Sequence, residues 1–118
     1  MRYLCLVYCE DSTFAAMTPD EKRALDRDSL AYDRELERQG QFITADALQP
    51  VTEAATVRVR DGRMSVTDGP FAETKEQLGG FILIEARDMN EAISAAAGIP
   101  LAKLGSIEVR PILKFDAD

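Results

Sequence analysis

Two short segments of this chain are apolar at nearly every position, and they restrict its fold more than any other feature. Residues 2–8 and 81–86 have the length of β-strands. A strand with one face in water would alternate apolar and polar residues, and these two do not. Both faces of each segment are therefore expected to be covered by protein, which places the two strands inside a sheet.

Two further segments carry the start and stop signals of helices. Thr18 and Glu21 have the spacing of a capping box, and the helix that they begin is expected to stop at Gly40. Asp88 opens a second, shorter helix in the same way, and that helix is expected to end at Gly98. The sequence thus predicts two helices, one long and one short, after an irregular stretch around residues 10–17. The residues expected to face inward are Leu25, Ser29, Tyr32 and Leu36 of the long helix and Ala92, Ile93, Ala96 and Ala97 of the short one.

The remaining segments with strand character lie between and after these helices. Asp61-Gly62 is a strong signal for a two-residue β-hairpin turn. Residues 41–48, 56–60, 64–66 and 106–113 are rich in residues that favour strands. The predicted order is strand, helix, strand, hairpin, strand, helix, strand.

This order is the split βαβ arrangement of an α+β, ferredoxin-like fold with a hairpin insert. Two helices can cover only one face of such a sheet. Because the two central strands are apolar on both sides, a second apolar face would be left in water. We therefore expect a homodimer in which the sheets of two copies pack against each other as a dimeric α+β barrel.

Length and charge limit the classes of function. The chain has 118 residues and 46% hydrophobic content, which fits a single domain over residues 1–118. Its 21 acidic and 14 basic side chains give a net charge of -7, which disfavours nucleic acid as a partner. No segment has the length and hydropathy of a membrane helix or the pattern of a leader peptide, so the cytoplasm is expected.

The chain contains no histidine, which removes the commonest side chain in proton transfer and in transition-metal binding. Cys5 and Cys9 are four residues apart on one strand, about 13 Å, which is too far for a disulfide. We predict neither a metal site nor a cofactor, and no glycine-rich loop has the spacing of a nucleotide site. Of the two cysteines, Cys9 is expected to be the more exposed.

Nine residues, 68–76, form the string Asp-Gly-Pro-Phe-Ala-Glu-Thr-Lys-Glu, and its Asp-Gly-Pro start reverses the chain. Asp68 cannot make the usual turn hydrogen bond to the residue two positions on, because Pro70 has no N–H. It either captures another backbone N–H or contacts a ligand. Phe71 is expected to insert into the core or the dimer seam rather than to stack on a ligand.

Charged residues that follow this turn are candidate ligand contacts. Glu73, Lys75 and Glu76 lie on a restrained loop, where they either face solvent or bind a ligand. Glu108 and Arg110 lie on the polar side of the last strand. Arg110 either clamps the carboxylate of a ligand or pairs with one of these glutamates.

Two aspartates are candidate catalytic residues. Asp46 lies on a strand that is expected to be half buried, where burial would raise the pKa of its carboxyl toward that of a general base. At an exposed strand end it would be an ordinary carboxylate. Asp68 is the second candidate for moving a proton.

The stretch from Val66 to Gly80 resembles the signature of the DGPF-domain branch of the YCII-related proteins. The likeness extends from Arg2-Tyr3-Leu4 to the closing Arg110-Pro111. The resemblance implies a dimeric α+β barrel of ferredoxin-like protomers with a ligand cleft beside the sheet. Wider relatives resemble muconolactone isomerase and are described with a His-Asp pair for proton transfer or dehydrochlorination, a pair that a chain without histidine cannot form.

Two functions remain open at this point, and the sequence does not decide whether the protein is an enzyme. The first is the binding of a small polar metabolite in a cleft near residues 68–76, which we call the DGPF loop, with cofactor-free proton transfer by carboxylates. The second is a non-catalytic interaction or regulatory module, whose apolar patch is expected near Phe14, Met17 and Leu30. The resemblance also implies a stress-linked setting, because members of this branch are often encoded beside extracytoplasmic-function sigma factors.

Overall fold

The computed structural model describes residues 1–115. Its elements are β1 (Arg2–Cys9), α1 (Asp11–Ala15), α2 (Pro19–Arg38), β2 (Phe42–Ala47), β3 (Ala55–Arg60), β4 (Arg63–Asp68), β5 (Gln77–Glu85), α3 (Met89–Ala97) and β6 (Ser106–Pro111), with 3₁₀ turns at Val51–Glu53 and Pro100–Lys103.

Four strands form one antiparallel sheet in the order β2-β5-β1-β6, and β3 pairs with β4 as a separate ribbon. With the ribbon set aside, the first and third main strands are neighbours in the middle and the second and fourth lie at the edges. The predicted ferredoxin-like α+β fold with a hairpin insert is therefore confirmed, and so is the central position of the two apolar strands.

Local signals place the helix and hairpin ends where the sequence predicts them. The Thr18 hydroxyl accepts a hydrogen bond from the N–H of Glu21, and the Glu21 carboxylate accepts one from the N–H of Thr18. Gly40 follows α2 with a φ of 72°. At the hairpin turn, Asp61 and Gly62 both have positive φ, 51° and 74°, as a type I′ turn requires.

One face of the sheet carries the hydrophobic core. Alternate residues of β1 and β5 point toward α2 and α3 and are buried, among them Tyr3, Cys5, Val7, Ile82 and Ile84. Leu36 of α2 and the alanines of α3, Ala92, Ala95 and Ala96, pack on them. These small side chains let α3 lie close to the sheet. Ile93, expected on the same docking face of α3, is instead 51% exposed.

The opposite face of the sheet, which we call the open face, has no layer of helices over it within the described chain. Strand pairing places Leu4 beside Leu83 and Leu6 beside Phe81, and all four side chains are only half buried. This is the second apolar face that the sequence predicts.

The ribbon of β3 and β4, which we call the arm, has one apolar and one polar face. Val57 pairs with Val66 and Val59 with Met64, and all four side chains are exposed. The intervening residues, which include Arg58, lie on the other face. An isolated two-stranded ribbon is marginally stable in water, so the apolar face is expected to need a covering surface.

Two local expectations are wrong. The stretch after β1 is the short helix α1 instead of an irregular loop. Cys9 is only 3% exposed, because its side chain points to the same covered face as Cys5. Of the two positions expected for Phe71, the core of its own chain is excluded, since the side chain is 77% exposed with the guanidinium of Arg58 5.4 Å from its ring, and the dimer seam stays a prediction. Over residues 1–115, none of the helices combines the length and hydropathy needed to cross a membrane.

Candidate functional site

A groove of about 460 Å³ lies between α2 and the sheet, and we call it the α2 groove. Strands β2 and β5 border it on one side, and the 3₁₀ turn at Pro100–Lys103 closes one end. It is lined by Val7, Asp26, Ser29, Leu30, Tyr32, Asp33, Ala45, Asp46, Ala47, Gly79, Gly80, Phe81, Ile82, Ile99, Pro100 and Leu101.

Small residues on the sheet leave the space for this groove. Ala45 and Ala47 alternate along β2, and Gly80 pairs with Ala47 on the neighbouring strand. A Cβ atom on Gly80 would lie 2.9 Å from the backbone oxygen of Asp46, so a side chain here would push β2 away. The groove is therefore a consequence of the alanine and glycine pattern in these two strands.

Helix α2 supplies the polar part of the lining. Asp26, Ser29, Leu30 and Asp33 recur at intervals of three, four and seven residues and so share one face of the helix. The expected inward stripe of α2, formed by Leu25, Ser29, Tyr32 and Leu36, overlaps the groove lining at Ser29 and Tyr32. Leu30, outside that stripe, is exposed at the groove.

Tyr32 forms a wall of the groove, and its position depends on Gly98. Its hydroxyl donates a hydrogen bond of 2.6 Å to the backbone oxygen of Ala95. Burial, and after it the charges of Cys5 and Glu35, raises the pKa of the Tyr32 hydroxyl. A Cβ atom on Gly98 would lie 2.3 Å from the hydroxyl oxygen of Tyr32, so the tyrosine occupies space that only a glycine leaves free.

Asp33 is the least solvated carboxylate of the groove. It is half buried, and this burial raises the pKa of its carboxyl. Among residues 1–115, neither a salt bridge nor a hydrogen bond reaches that carboxylate. It is thus a partly desolvated charge without a compensating group from the described chain.

Of the candidate site residues predicted from sequence, only Asp46 belongs to this lining. It pairs with Phe81, so the strand register directs its side chain toward the open face, opposite to Ala45. The side chain is exposed, which places it at the edge of the sheet.

Three other predicted residues gather at the open face. The Tyr8 hydroxyl donates a hydrogen bond of 3.4 Å to Glu108, whose carboxylate lies 4.0 Å from the guanidinium of Arg110. Burial and the Glu108 charge raise the pKa of Tyr8. Ser106 donates to Glu76, with an Oγ–Oε2 distance of 2.9 Å. The pairing of Arg110 with a glutamate, one of the two alternatives, is the arrangement that forms.

The remaining predicted residues lie apart from both groups. Lys75 pairs with Glu10, with an Nζ–Oε1 distance of 3.6 Å, and Glu73 is exposed on the loop. Asp68 is the last residue of the arm, and within residues 1–115 no hydrogen bond to its carboxylate is found. Neither a turn contact nor a shared cleft joins these residues to Asp46.

The sequence prediction missed the residues of α2 that line the groove, Asp26, Tyr32 and Asp33. The available signal was Leu30, an apolar residue outside the inward stripe with aspartates three and four positions to either side. Within residues 1–115, no group of three or more Cys, Asp or Glu side chains is placed to hold a metal ion. The chemistry that the groove offers is therefore apolar contact together with carboxylate charge and proton exchange.

Comparison with known proteins gives the family context. The uncharacterized protein R00369 of Rhizobium meliloti (strain 1021) is 40% identical over 117 residues, covering 98% of this chain and 94% of that protein. The structure of 5-chloro-2-hydroxyhydroquinone dehydrochlorinase from Burkholderia phenoliruptrix AC1100, in complex with 2,5-dihydroxybenzoquinone, superposes with a TM-score of 0.56 at 16% identity. That superposition covers 96% of this chain and 94% of the dehydrochlorinase, and it supports the α+β fold. The model of the YCII-related domain matches residues 1–116, and the chain belongs to this family.

Proposed function

We propose that this protein binds a small organic molecule in the α2 groove. The observation that carries the proposal is the groove itself, whose volume of about 460 Å³ lies within the range of small-molecule sites, roughly 300–1,000 Å³. Apolar side chains such as Ile82 and Leu101 make up most of the walls, and a few polar groups from α2 are set among them. This is the usual composition of a ligand pocket.

The dehydrochlorinase supports the same function by analogy. It shares the fold and its structure holds a small cyclic ligand, so this fold is compatible with a small-molecule site. We extend to the present chain only the capacity to bind a molecule of similar size.

If the bound molecule is turned over, we propose that carboxylates carry the proton without a cofactor. Asp33 is the better placed of these, since burial already raises the pKa of its carboxyl and a raised pKa favours proton exchange near neutrality. Asp46, at the groove edge, is the second candidate. Asp68 lies on the arm. Its role as a proton carrier stays a proposal and would need a second chain to bring it near a ligand.

We further propose that the working form is a cytoplasmic homodimer of the DGPF branch, with the open faces of two copies packed together. The half-buried Leu4, Leu6, Phe81 and Leu83 support this, because a contiguous apolar surface is rarely left in water. The paired residues around Glu108 would then lie at the interface. Light scattering on a chromatography column is expected to give twice the chain mass, and Leu6→Lys is expected to give the single-chain mass.

A second function, protein interaction, is favoured by the apolar face of the arm. The exposed apolar residues of the arm form the patch that this function requires. Phe14 and Met17, expected near such a patch from the sequence, are half buried. A regulatory, stress-linked role of the kind associated with the DGPF branch would use this face. Substituting Val59 with Thr should abolish capture of such a partner without changing ligand binding in the groove.

Blocking the groove tests the main proposal. A small-molecule library is screened by thermal shift and by amide chemical shifts, first with the unmodified protein. Ala47→Phe places a ring at the groove, and Ala55→Phe places the same ring at an exposed strand position outside it. Ligands are expected to bind the unmodified protein and Ala55→Phe and to be lost from Ala47→Phe. Equal binding to both variants would place the ligand elsewhere and refute the proposal.

A further inference from the structure

The charge of the α2 groove has one sign. The charged residues in its lining are Asp26 and Asp33 on α2 and Asp46 at the sheet edge, whose side chain is directed toward the open face, and no lysine or arginine of residues 1–115 belongs to the lining. Because an anionic molecule would bring a further negative charge beside the two α2 carboxylates, Asp26 and Asp33, the groove is expected to exclude it. The groove therefore selects by charge as well as by size.

Asp33 shows that this negative charge is not neutralised within the described chain. Its carboxylate is half buried and receives neither an ion pair nor a hydrogen bond from residues 1–115. The other lining residues on α2 are Asp26, Ser29, Leu30 and Tyr32, and none of them is basic. A carboxylate that is partly removed from water gains from a cationic partner, and a ligand that carries a cation would supply one.

We propose that the ligand of the α2 groove is a small organic cation, an amine whose apolar body lies against the sheet and whose ammonium group meets Asp33. This inference rests on the proposed function, because it names the ligand class of the same groove. The body of the ligand would contact Ala45, Ile82 and Leu101, which offer only carbon atoms from their side chains. The carboxylates on the α2 side then fix which end of the molecule faces the helix.

A metal cation fits this groove less well than an organic one. A calcium ion takes six to eight oxygen ligands, and a magnesium ion needs a near-octahedral set. No group of three or more acidic or cysteine side chains in residues 1–115 converges to that degree. A single ammonium group with three donors needs only one or two carboxylates, and the remainder of the molecule uses the apolar walls.

Three probes of nearly equal shape test the ligand class. Benzylamine is a cation at neutral pH, benzyl alcohol is neutral and benzoate is an anion. Binding is measured by amide chemical-shift titration. Benzylamine is expected to bind about tenfold more tightly than benzyl alcohol, which corresponds to about 1.4 kcal/mol. Benzoate is expected to cause no shifts at groove residues.

Two variants locate the effect. Asp33→Asn is expected to weaken benzylamine binding about tenfold, to the affinity of benzyl alcohol, and to leave benzyl alcohol unchanged. The unchanged alcohol shows that the groove is intact in the variant. Asp28→Asn removes an equal charge from an exposed position of α2 outside the lining and is expected to change neither affinity.

The outcomes separate this inference from the function on which it rests. Binding of benzyl alcohol or benzoate as tight as that of benzylamine, or an amine preference that survives in Asp33→Asn, would overturn the ligand class while the groove remains a binding site. No binding of any probe, together with failure of the Ala47→Phe test, would overturn both.

Discussion

Replacement of Gly98 by alanine should destabilise the protein by displacing Tyr32. The added Cβ atom would lie 2.3 Å from the hydroxyl oxygen of Tyr32, 2.5 Å from Cζ and 2.7 Å from Cε1. Carbon atoms in contact normally lie about 3.5–4.0 Å apart, so the ring must rotate away. Gly98 itself has φ -84°, which any residue adopts, so the clash is the reason for the loss and backbone strain is not.

The magnitude follows from what the tyrosine gives up. Its hydrogen bond to the oxygen of Ala95 contributes about 0.5–1.5 kcal/mol, and overpacking at a filled position costs about 1–3 kcal/mol. The better helix propensity of alanine returns up to about 1 kcal/mol at this helix end. Gly98→Ala is therefore expected to lower the free energy of unfolding by roughly 0.5–4.5 kcal/mol.

Urea denaturation of four proteins measures this effect: the unmodified chain, Gly98→Ala, Tyr32→Ala and the double variant. In the double variant the methyl group fills space that the ring has left. The stability lost by the double variant should therefore be smaller than the sum of the losses of the two single variants, by about 1 kcal/mol or more. Gly79→Ala is the control, since its Cβ atom would meet only the oxygen of Val7 at 3.9 Å. A Gly98→Ala protein as stable as the unmodified one, or losses that add without coupling, would refute the placement of Tyr32.

Three further predictions address backbone packing, helix capping and the groove carboxylate. Gly105→Ala would bring a Cβ atom within 2.0 Å of the backbone oxygen of Tyr8. Because the backbone of a strand cannot move aside as a side chain does, urea denaturation is expected to show a loss of stability of about 3 kcal/mol or more. A small loss would contradict the packing of β1. Thr18→Ala removes one half of the capping box and should cost about 1 kcal/mol, whereas the exposed Thr52→Ala should be neutral. Burial raises the pKa of Asp33 above its ordinary 3.8, so its ionised form destabilises the fold at neutral pH, and the penalty decreases as the pH falls through the folded pKa toward 3.8. Asp33→Asn should thus be the more stable protein at neutral pH, by less than about 1 kcal/mol because water screens a half-exposed charge, and should match the unmodified chain below about pH 4; a constant difference across pH would contradict this origin.

Most of the fold could be predicted because its signals are local. The capping box at Thr18 needs only residues three apart, and the turn at Asp61-Gly62 needs only two adjacent residues that tolerate positive φ. The continuous apolar runs of β1 and β5 fix those strands in the middle of the sheet. With the order of helices and strands known and the two central strands identified, few arrangements of the sheet remain, and the ferredoxin-like one is the commonest among them.

The errors occur where the chain offers no such local signal. Helix α1 is five residues long and its first residue is preceded by Glu10, which makes no side-chain cap, so nothing in the sequence separates it from a loop. Whether Ile93 or Ala95 faces the sheet depends on the rotation of a nine-residue helix in which all six residues from Ala92 to Ala97 are small or apolar. Tertiary packing decides these cases.

The groove could not be predicted because its residues come from five separate parts of the chain. They meet only in the folded structure: Val7 on β1, Asp33 on α2, Ala45 on β2, Gly80 on β5 and Leu101 on the turn. Small residues on a strand indicate close approach of another element, or space left for a ligand, and the sequence does not distinguish the two.

The charged residues predicted from the sequence differ from Asp33 of the groove in whether their own chain supplies a partner group. Glu76 binds Ser106, Lys75 binds Glu10, and Arg110 lies beside Glu108, so each of these charges has a compensating group in its own chain. Asp33 has none among residues 1–115, although it is more buried than most of them. A partly desolvated carboxylate without a partner lowers stability, and a cationic partner from outside the chain would offset that cost. By this criterion the α2 groove, not the DGPF loop, is the stronger candidate for the binding site.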